Sequence, residues 1–265
     1  MGEEDVHDRT PTESRSERRP PRRMAGLLRW ALVLILALGV VPERAPGQAA
    51  QDAAEHVTDA SSESIDRQLL RGVYATEAAP MRGTMHGADA TAFPMFYGAP
   101  VAAWGGAWLV RGGDDWSDAY RLTVAQVATY GAINGLKALT QRSRPYWRVE
   151  GITSRSFRYS PDGPEGNSYA FPSGHAAMSF AIVTSWSLSH PEWYVWAPGA
   201  VWAAAVSVSR IWLGVHYPSD VLAGMVLGIG VSTAVHLLGD AIIPDAFRPE
   251  TAGAATAPIS LHIHW

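Results

Sequence analysis

Cysteine is absent from the 265-residue chain, and its absence excludes disulfides, thiolate metal sites and cysteine nucleophiles. Charge is also scarce: Asp, Glu, Lys and Arg make up 17% of the residues, against about 25% in an ordinary soluble domain. With 47% hydrophobic residues, the chain is too apolar to be disordered. Its net charge of −4 argues against nucleic-acid binding. The composition therefore indicates a membrane-associated protein with one sizeable domain.

The N-terminal segment has the composition of a targeting sequence. Residues 1–23 are polar, and arginines then lead into an apolar run from Trp30 to Val41, which small residues at 45–50 follow. This order is typical of a secretory signal peptide, for which Met24 is a natural start. The alternative is an uncleaved signal anchor, since the apolar run lies near the lower length limit for spanning a membrane. In both cases we expect the chain from Ala50 onward to lie outside the cytoplasm.

Five runs without Asp, Glu, Lys or Arg organise the chain that follows. They are 15 to 20 residues long, and a transmembrane helix needs about 20 residues, with a lower limit of about 17. The sequence therefore predicts an all-α, membrane-embedded bundle of about five to six helices, with a soluble all-α bundle as the alternative. The runs are Thr91–Val110, Leu122–Leu136, Ala176–His190, Trp193–Ser209 and Val221–Gly239.

These runs give the chain a four-part organisation. Residues 1–50 carry the signal peptide or anchor, 51–90 form a polar segment, 91–240 form the helical core and 241–265 form a tail. Within the polar segment, apolar residues at helical spacing predict one amphipathic helix from Ser64 to Tyr74.

Two pairs of glycines four residues apart lie inside the runs. Gly131 and Gly135 form one pair, and Gly224 and Gly228 form the other. Each pair predicts a small-residue surface for close contact between helices.

The first of three chemical motifs is Lys137-x6-Arg144-Pro145. If the segment is helical, positions seven apart lie on one face, so both cations point the same way. Pro145 disfavours helix at Arg144 and predicts a helix C-terminus there. Lys137 is the only lysine among 21 basic residues, and a charge inside an apolar helix is costly. The motif therefore predicts an anionic ligand, although a solvated basic surface is the more common arrangement.

The second motif is Pro172-Ser173-Gly174-His175. Ser173 is a favourable N-cap, so a helix is predicted to begin here. The unpaired N–H groups of a helix start and its dipole together bind anions, and Gly174 lets a ligand approach the backbone closely. His175 is then expected beside the anion. Taken alone, the motif fits an ordinary capped helix equally well.

The third motif is Ser209-Arg210-x5-His216-x3-Asp220. Pro218 suits the first turn of a helix, which places Asp220 in that turn and His216 just before it. The Asp220 carboxylate can then accept the Nδ1 proton of His216 and leave Nε2 as a nucleophile. Arg210 adds a planar, permanently charged fork suited to phosphate. A structural histidine is the alternative, and the joint spacing of Arg, His and Asp argues against it.

In residue type, order and spacing, the three motifs together resemble the signature of the type 2 phosphatidic acid phosphatase and vanadium haloperoxidase superfamily. The resemblance spans Lys137 to Asp220 and leaves residues 1–90 and 241–265 uncovered. It implies that the phosphate is held by Lys137, Arg144, Ser173, the Gly174 amide and Arg210. It further implies that His216 is the nucleophile, His175 the acid for the leaving group and Asp220 the residue that orients His216.

We therefore expect a phosphatase that acts on a lipid phosphate or diphosphate. Three cations and a helix N-terminus can stabilise the charge on the equatorial oxygens, and no Asp/Glu cluster suited to a metal is visible. The reaction is expected to pass through a phosphohistidine at His216, which water hydrolyses with His175 acting as base. The expected partners are the lipid phosphate and membrane lipids, with no cofactor, metal or nucleic acid. The particular lipid and the oligomeric state stay open.

Counting helix crossings places the three motifs at one face of the membrane, on the same side as residues 51–90. The expected location is the bacterial inner membrane with the site facing the periplasm, or the periplasm itself if the signal is cleaved and the chain is soluble. The alternative functions are a vanadium haloperoxidase, a branch that by resemblance is larger and soluble, and a non-catalytic lipid-binding protein of the same fold. His262 and His264 are most simply part of a frayed end.

Overall fold

A computed structural model describes residues 64–249, apart from Glu165 and Asn167. The predicted signal peptide or anchor, and both His262 and His264, lie outside the described residues. Within the described part, the chain is all-helical and contains no β-strand. The predicted all-α class is therefore confirmed.

Six of the helices contain ten residues or more, in agreement with the expected five to six. Two single-turn helices and a 3₁₀ turn at Asp245–Phe247 complete the described chain. In chain order, the helices are α1 Ile65–Tyr74, α2 Ala79–Arg111, α3 Ser117–Thr140, α4 Pro145–Arg148, α5 Gly174–Ser189, α6 Trp193–Trp212, α7 Pro218–Leu237 and α8 Gly239–Ile242.

The five charge-free runs form the central parts of α2, α3, α5, α6 and α7. Helix α2 begins at Ala79, twelve residues before its charge-free run, in a stretch that the sequence predicted only as polar segment. Buried Met85 and Ala88, and the pairing of Asp89 with Arg210, attach this stretch to the bundle. Among the described helices, α7 alone is both long and apolar enough to cross a membrane by itself.

Helix α5 lies at the centre of the bundle, against α3, α6 and α7. Glycines on α7 allow its closest contact with α5. A Cβ on Gly224 would lie 2.4 Å from the Ser173 carbonyl oxygen, and one on Gly228 would lie 2.1 Å from the Ala177 carbonyl oxygen. The predicted close helix contact at this pair is confirmed.

The same prediction is wrong for Gly131 and Gly135. A Cβ built on either residue meets nothing within 4 Å, because both lie on an exposed face of α3. A spacing of four residues brings the two glycines to one face but does not determine whether that face has a neighbour.

Helix α1 confirms the amphipathic helix predicted from Ser64 to Tyr74, with Ser64 as its N-cap. Its buried residue Leu70 is 0% exposed and packs in a cluster with Val149, Ile152 and Tyr217. Arg71 and Tyr74 of α1 also hydrogen-bond the chain that follows α4. Helix α1 therefore covers the end of the bundle at which His216 lies.

Candidate active site

The three motifs meet at one end of the helical bundle. Lys137 lies in the last turn of α3, His175 in the first turn of α5 and Arg210 in the last turn of α6, while His216 lies just before α7. His175 interacts electrostatically with Arg210, His216, Arg144 and Lys137. The structure thus brings together side chains that lie far apart in the sequence, as the motifs predicted.

Arg144 reaches this cluster by a route that the sequence did not predict. Helix α3 ends at Thr140, and the next residue, Gln141, has a positive φ of 48°. Arg144 itself is extended, with φ −75° and ψ 155°. The expectation that Lys137 and Arg144 share one helical face is therefore wrong, because the chain turns between them. The predicted helix end before Pro145 is confirmed.

The Arg144 guanidinium is buried, with 2% of the residue exposed. Its Nε donates to the carbonyl oxygen of Ser168 at 2.8 Å and to the Ser168 hydroxyl at 2.9 Å. Its Nη1 donates to the Val215 carbonyl oxygen at 2.8 Å and lies 3.1 Å from Nε2 of His216. Arg144 therefore links the loop after α4 to the segment that carries His216.

The Arg144 contact determines which nitrogen of His216 carries the proton. A guanidinium can only donate, so Nε2 of His216 must accept, and the proton of the neutral ring is assigned to Nδ1. This Nδ1 lies 3.6 Å from Oδ2 of Asp220, longer than a hydrogen bond but close enough to favour that tautomer. Burial, followed by the positive charges of Arg144, Lys137 and Arg210, lowers the pKa of His216 well below its ordinary value. The neutral, nucleophilic form of the imidazole is therefore favoured.

Asp220 lies in the first turn of α7, as Pro218 at the helix start predicted. Its Oδ2 accepts a hydrogen bond from the Tyr217 backbone N–H at 2.9 Å. Its Oδ1 accepts one from Arg142 Nη1 at 2.6 Å. Asp220 is 0% exposed, so these two donors and His216 define the surroundings of its carboxylate.

Ser173 is the N-cap residue of α5, as predicted, but its side chain makes no capping hydrogen bond. Its Oγ is buried and has no hydrogen-bond partner among the described residues. The same holds for His175 Nε2, Arg210 Nη1 and His216 Nδ1. Buried polar atoms normally have partners. Three of these four atoms, on Ser173, His175 and Arg210, belong to side chains expected to face the phosphate, whereas His216 Nδ1 faces Asp220. Such a group of atoms is typical of a site that binds a polar or anionic ligand.

Arg210 has a partner that sequence reasoning missed. Its Nη2 pairs with Oδ1 of Asp89 on α2, and the same oxygen lies 3.9 Å from Nε2 of His175. The Lys137 ammonium donates to the carbonyl oxygen of Tyr169. Asp89 carried no local signal, because its partners follow it by more than eighty residues in the sequence.

Two further residues contact the site and were not among the predicted site residues. Arg142 contacts Asp220, and its second nitrogen, Nη2, lies 2.7 Å from Oδ2 of Asp66 on α1. Arg142 lies inside the first motif, between Lys137 and Arg144, and this position could have identified it as a site residue. Asp66 lies outside all three motifs, so its neighbours in the sequence did not indicate a role at the site. Within the described residues, no group of three or more His, Cys, Asp or Glu side chains is arranged to hold a metal ion.

An apolar groove lies between α2, α3, α5 and α6, further along the bundle than the site. Its volume is about 450 Å³, and its lining includes Met95, Leu122, Ile182, Trp186 and Trp202. Ile182 is seven residues along α5 from His175, which is about 10 Å at the helical rise.

Residues 119–243 match the model of the PAP2 superfamily. This segment, just under half of the chain, is similar to that superfamily and is called the PAP2 domain below. This PAP2 domain contains all three motifs, whereas Asp66 and Asp89 lie outside it.

Curated relatives of the PAP2 domain match over short segments. The chain is 41% identical to the undecaprenyl-diphosphatase of Sulfolobus acidocaldarius over 69 residues, or 26% of this chain and 33% of the relative. It is 41% identical to the lipid A 1-phosphatase of Porphyromonas gingivalis over 91 residues, or 33% of this chain and 20% of the relative. The chain thus spans about one-fifth to one-third of the length of these relatives.

One solved PAP2 structure matches most of the chain. The crystal structure of the first transmembrane PAP2-type phosphatidylglycerolphosphate phosphatase from Bacillus subtilis superposes with a TM-score of 0.51 at 21% identity. The match covers 83% of this chain and 96% of that one. The chain therefore shares the fold of that structure.

Proposed function

We propose that the protein is a metal-independent phosphatase that hydrolyses a lipid phosphate or diphosphate monoester through a phosphohistidine at His216. The observation that carries this proposal is the position of His216. Its Nε2 lies 3.1 Å from a buried guanidinium, and nearby Ser173 Oγ and Arg210 Nη1 are buried without partners among the described residues. A nucleophile therefore stands beside donors that suit the oxygens of a phosphate.

The first step forms one bond and breaks one. His216 Nε2 attacks phosphorus, and the bond from phosphorus to the oxygen of the leaving group breaks. His175 donates a proton to that oxygen, since an alkoxide is a poor leaving group without one. Positive charge on Arg144 and Arg210, together with the N-terminus of α5, stabilises the equatorial oxygens.

The second step hydrolyses the phosphohistidine and regenerates the free enzyme. A water molecule attacks phosphorus, the bond from phosphorus to Nε2 breaks, and inorganic phosphate leaves. His175, now neutral, accepts the proton of that water and returns to its starting form. Asp220 stabilises the charge that develops on the His216 ring in the first step, because its carboxylate faces Nδ1.

The apolar groove supports a lipid as the substrate. A lipid phosphate carries its head group and its hydrocarbon on one molecule, so its chain needs an apolar surface within reach of the head-group site. Ile182, which lines the groove of about 450 Å³, lies about 10 Å from His175 along the same helix, a distance that a lipid hydrocarbon chain can span. The relatives reported above are named as phosphatases of undecaprenyl diphosphate and lipid A, which are substrates of this kind.

The proposed location is the bacterial inner membrane, with the site facing the periplasm. The support is the predicted secretory segment in residues 1–50, followed by α1 at the site end of the bundle. Protease added to spheroplasts should cleave the exposed loop between α4 and α5. Protection of that loop until the membrane is broken would place the site in the cytoplasm instead.

The activity is tested with a panel of phosphatidate, phosphatidylglycerol phosphate, a polyprenyl diphosphate and lipid A in detergent, with a chelator present. We expect phosphate release from at least one lipid, inhibition by vanadate, and labelled phosphate trapped on the protein. His216→Ala should trap no label, and label retained in that variant would exclude the proposed intermediate. Halide oxidation that depends on vanadate, without phosphate release, would indicate a haloperoxidase.

A further inference from the structure

Asp66 lies in the first turn of α1. Both of its carboxylate oxygens accept hydrogen bonds from other parts of the chain, namely the start of α7 and the loop after α3. Its Oδ2 lies 2.7 Å from Arg142 Nη2 and accepts a hydrogen bond from the Ser219 hydroxyl at 2.6 Å. Its Oδ1 accepts one from the Ser219 backbone N–H at 2.9 Å. Three hydrogen bonds from two other segments of the chain therefore converge on one carboxylate.

Arg142 connects Asp66 to the proposed catalytic residues. One nitrogen, Nη2, is held by Asp66, and the other, Nη1, donates to Oδ1 of Asp220 at 2.6 Å and to the Ser219 hydroxyl at 2.7 Å. The guanidinium also lies over the Tyr217 ring, 4.1 Å from its centroid. The chain of contacts thus runs from Asp66 through Arg142 to Asp220, which faces His216.

Arg142 is 35% exposed at its side chain, whereas Asp220 is 0% exposed. A long side chain at the surface has many rotamers, so a single hydrogen bond to Asp220 would hold it weakly. Asp66 accepts a hydrogen bond from Nη2 of the planar Arg142 guanidinium. This second bond restrains the guanidinium in the orientation in which Nη1 reaches Asp220. The position of Asp220 in turn determines how well its carboxylate stabilises the imidazolium that develops on His216.

We propose that Asp66 is a positioning residue for the reaction: acting through Arg142, it holds Asp220 in the orientation that His216 needs. This inference rests on the proposed function. It adds α1, which precedes the PAP2 domain, to the elements on which the chemistry depends. Asp66 has no contact with the phosphate site itself, so its effect falls on the chemical step rather than on substrate binding.

The test is Asp66→Asn, which keeps the size of the side chain and removes its charge. We expect kcat on the best lipid of the panel to fall about 10–100-fold, by analogy with partners that orient metal ligands, whose loss has that effect. KM should change by less than about twofold, since the proposed phosphate ligands are untouched. The single-turnover rate of phosphate transfer to His216 should fall together with kcat in Asp66→Asn. Asp66→Glu keeps the carboxylate, so its kcat should lie between those of Asp66→Asn and the wild type.

Arg71→Ala is the matched control, because Arg71 lies on the same helix and its Nη1 donates to the Glu150 carbonyl oxygen at 2.9 Å. This variant weakens the docking of α1 without touching Arg142. We expect its kcat to stay near that of the wild type. An equal loss of kcat in Arg71→Ala would show that Asp66 serves only to dock the helix and would overturn the inference.

A double-mutant cycle tests the route through Arg142. Arg142→Gln should lower kcat at least as much as Asp66→Asn, and adding Asp66→Asn to it should have no further effect. Additive losses would contradict the proposed route. Wild-type kcat in Asp66→Asn would overturn the inference and leave the proposed function standing, whereas a wild type that releases no phosphate would overturn both.

Discussion

Replacing Ser173 by alanine is expected to lower activity without lowering stability. Ser173 is 0% exposed, and its Oγ has no partner among the described residues, not even the usual capping hydrogen bond. In the proposed reaction this hydroxyl donates to a phosphate oxygen. The side chain is therefore an unfavourable group in the free protein and a favourable one when phosphate is bound.

The expected magnitudes follow from these two states. A buried hydroxyl without a partner costs about 1–3 kcal/mol, so the free energy of unfolding of the variant should be unchanged or higher by up to that amount. A hydrogen bond to a charged group contributes about 1.5–3 kcal/mol. At about 1.36 kcal/mol per factor of ten in rate, kcat/KM should fall about 10- to 150-fold. Unfolding in detergent and phosphate release from the lipid panel measure the two effects separately.

Ser179→Ala is the matched control on the same helix. Ser179 is also 0% exposed, and its Oγ also lacks a partner among the described residues, but it lies about 9 Å further along α5. Its removal should affect stability in the same direction and leave kcat/KM unchanged. If Ser173 is an ordinary helix cap, Ser173→Ala will instead lose about 0.5–2 kcal/mol of stability and keep its activity. That result would refute the phosphate role of Ser173.

Three further predictions concern packing, proton transfer and pH. Gly228→Ala should destabilise the bundle in thermal unfolding, because its Cβ would lie 2.1 Å from the Ala177 carbonyl oxygen, whereas Gly131→Ala, with nothing within 4 Å, should not. His175→Ala should lower kcat on lipid phosphates about 10²–10⁴-fold but affect an aryl phosphate less, since its leaving group needs no proton; equal losses would argue against the acid role. Burial and then the charges of Arg144, Lys137 and Arg210 lower the pKa of His216, so kcat/KM should persist as the pH falls below about 6.5, the ordinary histidine value. Arg144→Gln removes one of those charges and should move the acid limb of the profile to higher pH.

The residues that were missed lie in the site for electrostatic reasons. The site concentrates positive charge from two buried arginines, Arg144 and Arg210, and from the partly exposed Arg142, and unpaired buried charges are costly. Asp66 and Asp89 supply the opposite charge for two of these arginines. A search for carboxylate partners of the motif arginines, rather than for motifs alone, would have included the seven Asp and Glu residues in 51–90.

The amino-acid sequence by itself determined the features that depend on neighbouring residues. Charge-free runs predicted the central parts of five helices, Ser173 and Pro218 predicted two helix starts, and the spacing of the three motifs predicted which side chains would meet. Only the tertiary structure decided the rest. It pairs Asp66 with Arg142 across 76 positions and Asp89 with Arg210 across 121, and it gives Gly228 a neighbour while leaving Gly131 exposed. The physical reason is that helix formation and capping depend on local backbone chemistry, whereas ion pairing and close packing depend on which helices become neighbours.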